Sequence, residues 1–146
     1  MKRFEGKNVV ITGAAAGIGQ ATAKRIAEEG GNVALIDINA EGLAGTKKIA
    51  EDLGVKAWVY ECNVTDGARV KEVIDQAAED MGGFDTLCHC AGILRTYHTH
   101  EMTFEQWHQI IDINLNGTFY VNHAALPHLL KNRFSALVNC SSTSAI

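Results

Sequence analysis

The residues best suited to hold a ligand lie near the start of the chain, in Thr12-Gly13-Ala14-Ala15-Ala16-Gly17-Ile18-Gly19. Gly13, Gly17 and Gly19 allow a tight turn, and the alanines between them keep the loop small. A loop with so little side chain leaves its main-chain N–H groups bare. Where a helix starts directly afterwards, its positive dipole end adds to their attraction for phosphate oxygens. The spacing therefore suits a diphosphate. Gln20 stands where a mononucleotide P-loop needs lysine, which argues against that alternative. Asp37 supplies a second group. An acid roughly 20 residues after such glycines, at the tip of the next strand, accepts hydrogen bonds from the adenosine ribose hydroxyls. Its charge repels a 2′-phosphate, and no Arg or Lys lies in the loop or directly after Asp37. NAD is thus expected in preference to NADP.

Two other clusters invite a chemical reading. Cys88-His89-Cys90 has metal-ligand types, but on a strand Cys88 and Cys90 point to one face and His89 to the other, so no metal site is expected. Tyr97-His98-Thr99-His100 reads as a polar loop, in which His98 or His100 touches substrate only if the loop borders a cleft.

These groups must be positioned by alternating apolar runs. Strand one spans Asn8 to Thr12, and a helix runs from Ile18 to Glu29, stopped by Gly30-Gly31. Strand two ends at Asp37. Asn39 caps a helix from Ala40 to Leu53, and strand three is Lys56 to Glu61. Thr65 or Asp66 caps a helix to Met81 with Val70, Val73, Ile74 and Ala77 on its buried stripe. Strand four is Phe84 to Cys90. Thr103 caps a long helix from Phe104 to about Lys131, with bending expected near Gly117 and Pro127. Strand five is Phe134 to Cys140, and Ser141-Ser142-Thr143-Ser144 opens a loop. Strand–helix alternation with such apolar strands predicts an α/β, Rossmann-like, doubly wound parallel sheet of order 3-2-1-4-5, covered on both faces. All the ligand-binding groups follow strand C-termini, so they should share one edge at the switch point between strands one and four.

At 146 residues the chain suits a single domain, 1–146, and its balance of apolar and charged residues is that of a globular protein. The net charge of −4 argues against a nucleic-acid surface. No apolar run is long enough for a membrane span, and the basic N-terminus has no apolar stretch behind it. Cys62, Cys88, Cys90 and Cys140 fall late in strands and read as small buried hydrophobes, for which a reducing cytoplasmic location is expected.

Taken together, the residues resemble the short-chain dehydrogenase/reductase family along essentially the whole chain. Thr12-Gly13-x-x-x-Gly17-Ile18-Gly19 resembles its cofactor loop, and Asp37 stands where NAD-preferring members carry their acid. Asn114-Leu115-Asn116-Gly117 looks like the family's active-site helix segment, and Val138-Asn139-Cys140-Ser141-Ser142 like its fifth strand. The resemblance implies catalytic roles for Asn114 and Ser142, and cofactor contacts at Asn63-Val64 and Cys90-Ala91-Gly92. Two motifs differ. Asn63 replaces the usual aspartate near adenine, and its amide oxygen can still accept from the adenine amino group. His89-Cys90 replaces Asn-Asn, which keeps the main-chain contacts and alters the bracing of the sheet.

The family's Tyr-x-x-x-Lys pair occurs nowhere in these residues, and Tyr60, Tyr97 and Tyr120 stand in other contexts. The resemblance implies a sheet truncated after strand five. It also implies a homo-oligomer through the helices flanking that strand. In an isolated chain, strand five would be an uncovered edge and solubility would depend on a partner. Two functions follow. One is NAD-linked interconversion of a secondary alcohol and a ketone, with small-molecule substrates, by a protein whose acid–base pair lies outside these residues. The other is a non-catalytic dinucleotide-binding or partner-pairing module.

Overall fold

A computed structural model describes residues 2–142, so Thr143 and Ser144 of the expected serine-rich loop lie outside the described residues. Five strands, β1 (Asn8–Thr12), β2 (Asn32–Asp37), β3 (Ala57–Glu61), β4 (Thr86–His89) and β5 (Ala136–Asn139), form one parallel sheet of order β3-β2-β1-β4-β5. The connections are α1 (Gly17–Glu28), α2 (Ala40–Asp52), α3 (Gly67–Met81) and a composite of α4 (Phe104–Ile111), a π-helical turn over Asp112–Asn116, and α5 (Gly117–Leu129). The order in which strands are added reverses between β1 and β4, which pair in parallel from Val9↔Thr86 to Thr12↔His89. This is the expected doubly wound architecture.

Period-two alternation divides the sheet into two cores. Val9, Ile11, Val33 and Leu35 face α1 and α2, with Ala23, Ile26 and Leu43. Val10, Ala34, Ile36 and Leu87 face α3 and α5, with Val70, Val73, Ile74 and Val121. β1 and β2 are buried on both sides, whereas Val138 of β5 is 51% exposed and β5 pairs only with β4 among the described strands.

Side-chain capping fixes three of the helix starts. Asn39 accepts the Gly42 N–H, Asp66 the Arg69 N–H, and Thr103 forms a reciprocal capping box with Gln106. Asp66, not Thr65, is therefore the cap of α3.

Three strands are shorter than expected, β3 only by starting at Ala57 instead of Lys56. Phe84 is buried but precedes β4, Cys90 follows it, and Phe134 is 75% exposed ahead of β5. Ladder pairing, not side-chain hydrophobicity, sets the strand ends. The long helix also differs from expectation. Its irregularity is the π turn just before Gly117, and α5 continues through Pro127 to Leu129. Gly117 serves close packing instead, since a Cβ there would stand 2.8 Å from the Val64 Cγ2 atom.

Candidate functional site

A cleft of about 460 Å³ opens at the C-terminal edge of the sheet, over the switch point. Its floor and walls come from four crossovers: the glycine loop, Asp37 and Ile38 after β2, Cys62 to Val64 after β3, and Cys90 to Ile93 after β4. Of the expected cofactor residues, Gly13, Gly17, Ile18, Gly19, Asp37, Asn63, Val64, Cys90, Ala91 and Gly92 all line it. Thr12 does not; it is fully buried beneath the cleft.

The start of α1 differs from the other capped helices. Its N-cap is Ala16, which offers no side-chain acceptor, and its first turn has no acidic residue. Its first N–H groups therefore have neither a side-chain acceptor, as Asn39, Asp66 and Thr103 provide for α2, α3 and α4, nor a nearby acid such as Glu41, Asp66 or Glu105. An anion in the cleft would fill both roles.

The glycines divide the work. A Cβ on Gly19 would lie 2.1 Å from the Gly13 carbonyl oxygen, and one on Gly13 would lie 2.8 Å from the Ala91 nitrogen. These two glycines let segments of the chain meet. Gly17 has φ +54 and nothing within 4 Å of a notional Cβ. It keeps a left-handed turn open toward the cleft.

The Asp37 carboxylate is held by two main-chain donors, the Ala15 N–H at 3.1 Å and the Asn39 N–H at 3.0 Å. The acid and the glycine loop therefore form one rigid corner. Thr46, which the sequence pattern did not single out, and Gln20, read there only as the residue in place of a P-loop lysine, brace this corner from α2 and α1. The buried Thr46 hydroxyl donates to the Ala14 carbonyl at 2.8 Å, and the Gln20 amide donates to Thr46 at 2.9 Å. A Thr six residues into an amphipathic helix carries no distinguishing signal before its partner loop is placed. Across the cleft, Asn63 Oδ1 accepts the Thr65 N–H at 3.1 Å, which leaves one lone pair for a ligand donor.

Asn114 sits within the π turn. Its amide donates to the Ile93 carbonyl and accepts the Ile93 N–H, both at 2.8 Å, so it clamps the strand-four crossover. A Cβ on Gly92 would approach Asn114 Oδ1 to 3.2 Å, which explains the small residue beside the clamp. Ser142 lies beyond β5 at the same sheet edge and outside the residues lining the cleft. His98 and His100 lie in the exposed loop before α4 and do not line the cleft either.

Beside the Asp37 carboxylate, the cleft is lined by cysteine thiols. Burial, then the Cys140 thiol 3.4 Å away, pushes the Cys90 thiol up to about 12, so no thiolate faces the cleft near neutral pH. His89 is buried between β1 and α5, and desolvation lowers its pKa. Tyr60 lies outside the residues lining the cleft and bonds Asp80 at 2.6 Å; burial, then that bond, raises its pKa well above the ordinary phenol value. Among the described residues, no three His, Cys, Asp or Glu side chains gather as a metal site.

The description of a short chain dehydrogenase fits residues 7–146 of this sequence. The chain belongs to the short-chain dehydrogenase family. Within that family, the 3-oxoacyl-[acyl-carrier-protein] reductase FabG of Thermotoga maritima is 41% identical over 144 residues, covering 99% of this chain and 58% of the relative. Among solved short-chain dehydrogenase structures, an NAD+-bound xylitol dehydrogenase superposes with a TM-score of 0.95 at 32% identity, covering 99% of this chain and 56% of that one. Carveol dehydrogenase from Mycobacterium avium in complex with NAD gives 0.92 at 31% identity, with 97% and 56% covered. The chain thus spans little more than half the length of these short-chain dehydrogenases.

Proposed function

We propose that this chain carries the dinucleotide-binding half of an oxidoreductase that interconverts a secondary alcohol and a ketone, with NAD preferred over NADP. One observation carries the reading: the Asp37 carboxylate is fixed on the glycine loop itself, 3.1 Å from the Ala15 nitrogen, at the corner of the cleft. Gly17, Ile18 and Gly19 present main-chain donors for the diphosphate, and Asp37 accepts from the adenosine ribose hydroxyls. Asn63 and Val64 flank the adenine. Cys90, Ala91 and Gly92 form the opposite wall by main-chain contact, and Thr12 supports that wall from below. The nicotinamide, when bound, supplies the hydride acceptor or donor. Ser142 polarises the carbonyl oxygen of the substrate, and Asn114 holds the crossover on which the site rests. Proton transfer requires a tyrosine–lysine pair that these residues do not contain. NAD-bound neighbours in the same fold support the cofactor class. The apolar, thiol-bearing strand ends suit a reducing cytoplasmic compartment, and no described helix is long and apolar enough to cross a membrane.

A second reading, a non-catalytic dinucleotide-binding or pairing module, is favoured by the exposed β5. Calorimetric titration of the chain with NAD and NADP tests both readings. The expected result is heat with NAD, weaker binding of NADP, and no NADH absorbance with secondary alcohols. Asp37→Ala should weaken NAD about tenfold, the loss of a hydrogen-bonded charge, and remove the discrimination against NADP. An unchanged preference would show that Asp37 does not read the ribose.

A further inference from the structure

His89 stands in the middle of a hydrogen-bond chain that joins the cleft wall to the Asn114 turn. The Thr118 hydroxyl donates to the Asn114 carbonyl at 2.7 Å. Its single proton is thereby committed, so toward His89 Nε2, 3.0 Å away, it can only accept. Nε2 then carries the imidazole proton. Nδ1 is bare and accepts the Thr12 hydroxyl proton across 2.7 Å. With its proton spent there, Thr12 Oγ1 turns its lone pairs to the Cys90 and Ala91 N–H groups, each at 3.2 Å. The opposite tautomer would leave the Thr12 proton without an acceptor and the Asn114 carbonyl without the Thr118 donor. One tautomer alone uses every donor in the chain.

The surroundings fit a neutral ring. Thr12 faces it from β1, Thr118 from α5 and the Asn114 turn beyond. β5 reaches it through the Cys140 N–H, which donates to the His89 carbonyl at 2.9 Å. The Cys88 thiol belongs to the opposite face of β4, the Cys90 thiol just past the strand lies against that of Cys140, and the core on the His89 face contributes the Cys62 thiol and the Tyr60 and Tyr120 phenols. Among the described residues the one buried carboxylate is Glu29, paired with Arg3 and Arg25 before the N-terminal end of β2, the opposite edge of the sheet.

We propose that His89, as the neutral Nε2–H tautomer, is a positioning residue that sets the Cys90–Ala91 wall of the cleft and the Asn114 turn as one unit. The link to cofactor affinity rests on the dinucleotide reading above; the link between the two segments does not. Both can be tested on the uniformly 15N-labelled chain. Long-range proton–nitrogen correlation should show His89 as the Nε2–H tautomer; an Nδ1–H or charged ring at neutral pH overturns the proposal. Amide exchange, followed without cofactor, should quicken at both Ala91 and Ile93 in His89→Leu and in Thr118→Val. It should return toward wild type in His89→Gln, whose amide can donate to Thr118 and accept from Thr12. Faster exchange at Ala91 alone, or no rescue by glutamine, also overturns it. With NAD, His89→Leu should raise Kd about tenfold and His89→Gln about twofold or less, the scale of one or two neutral hydrogen bonds. If the tautomer and exchange results hold and wild type takes up no NAD, the positioning role stands and the dinucleotide reading falls.

Discussion

At Gly19 a methyl group would sit 2.1 Å from a carbonyl oxygen, whereas at Gly17 it would meet nothing within 4 Å. The same substitution at the two positions should therefore fail in different ways. Gly19→Ala should destabilise the fold by about 3 kcal/mol through backbone overpacking, read as a lower urea midpoint. Gly17→Ala pays only the left-handed strain of about 1 kcal/mol, and its main effect should be weaker NAD binding. Titration distinguishes residues in a similar way. His89 has a pKa below the ordinary 6.5 because burial disfavours its charged form. The unfolded chain then binds more protons in the window from about 6.5 down to the folded value, so stability should fall as pH drops through it. Urea melts on either side of that window check this, and His89→Gln should flatten the dependence. The carboxylates act lower. Glu29 is held below its usual 4.5 by the Arg3 hydrogen bond, and Asp75 below 3.8 by Lys71 and then His128, so their stabilisation is present above those values and lost only in stronger acid.

Among the elements, the composite helix decides most about the site. Its π turn places Asn114 against Ile93, and Thr118 back-bonds to the Asn114 carbonyl where the regular ladder is interrupted. Gly117 then lets α5 descend onto the crossover after β3. Two effects compete at this position. Alanine would gain about 1 kcal/mol in helix propensity. Its Cβ, however, would stand 2.8 Å from Val64 Cγ2 and 3.3 Å from the Val64 carbonyl oxygen. Overpacking of about 1–3 kcal/mol should win. Gly117→Ala is expected to lower the melting temperature and to loosen the Val64 side of the cleft, seen as faster amide exchange there.

For the molecule as a whole, apolar surface is distributed unevenly. The core under β1 and β2 is closed, while Phe104 (82% exposed), Trp107, Leu115 and Phe119 lie open along the composite helix, and Val138 along β5. Exposed large apolar side chains of this kind, together with an edge strand, favour association. The polypeptide is expected to show a concentration-dependent mass by sedimentation at low micromolar concentration. A sharp, reversible melt of a monomer there would contradict this.

The sequence by itself determined the architecture and the corner where the glycine loop meets Asp37, because both rest on local signals. Apolar runs alternate with helical periods, glycines punctuate one turn, and an acid ends the following strand. These features impose the sheet order, and with it the placing of Gly13, Gly17, Gly19 and Asp37 on one edge. The roles proposed for Asn114 and Ser142 come only from the resemblance, since neither has a local pattern. What only the tertiary structure decided are the long-range partners. Thr46 and Gln20 brace the glycine loop, Thr12 withdraws beneath the cleft, the helix irregularity falls at Asp112–Asn116, and His89 bridges Thr12 to Thr118. Each is a single polar side chain whose partner is dozens of residues away or set by an element's rotation. No periodicity encodes such a contact; it exists once packed helices and paired strands bring donors and acceptors within 3 Å or so and exclude the water that would otherwise satisfy them.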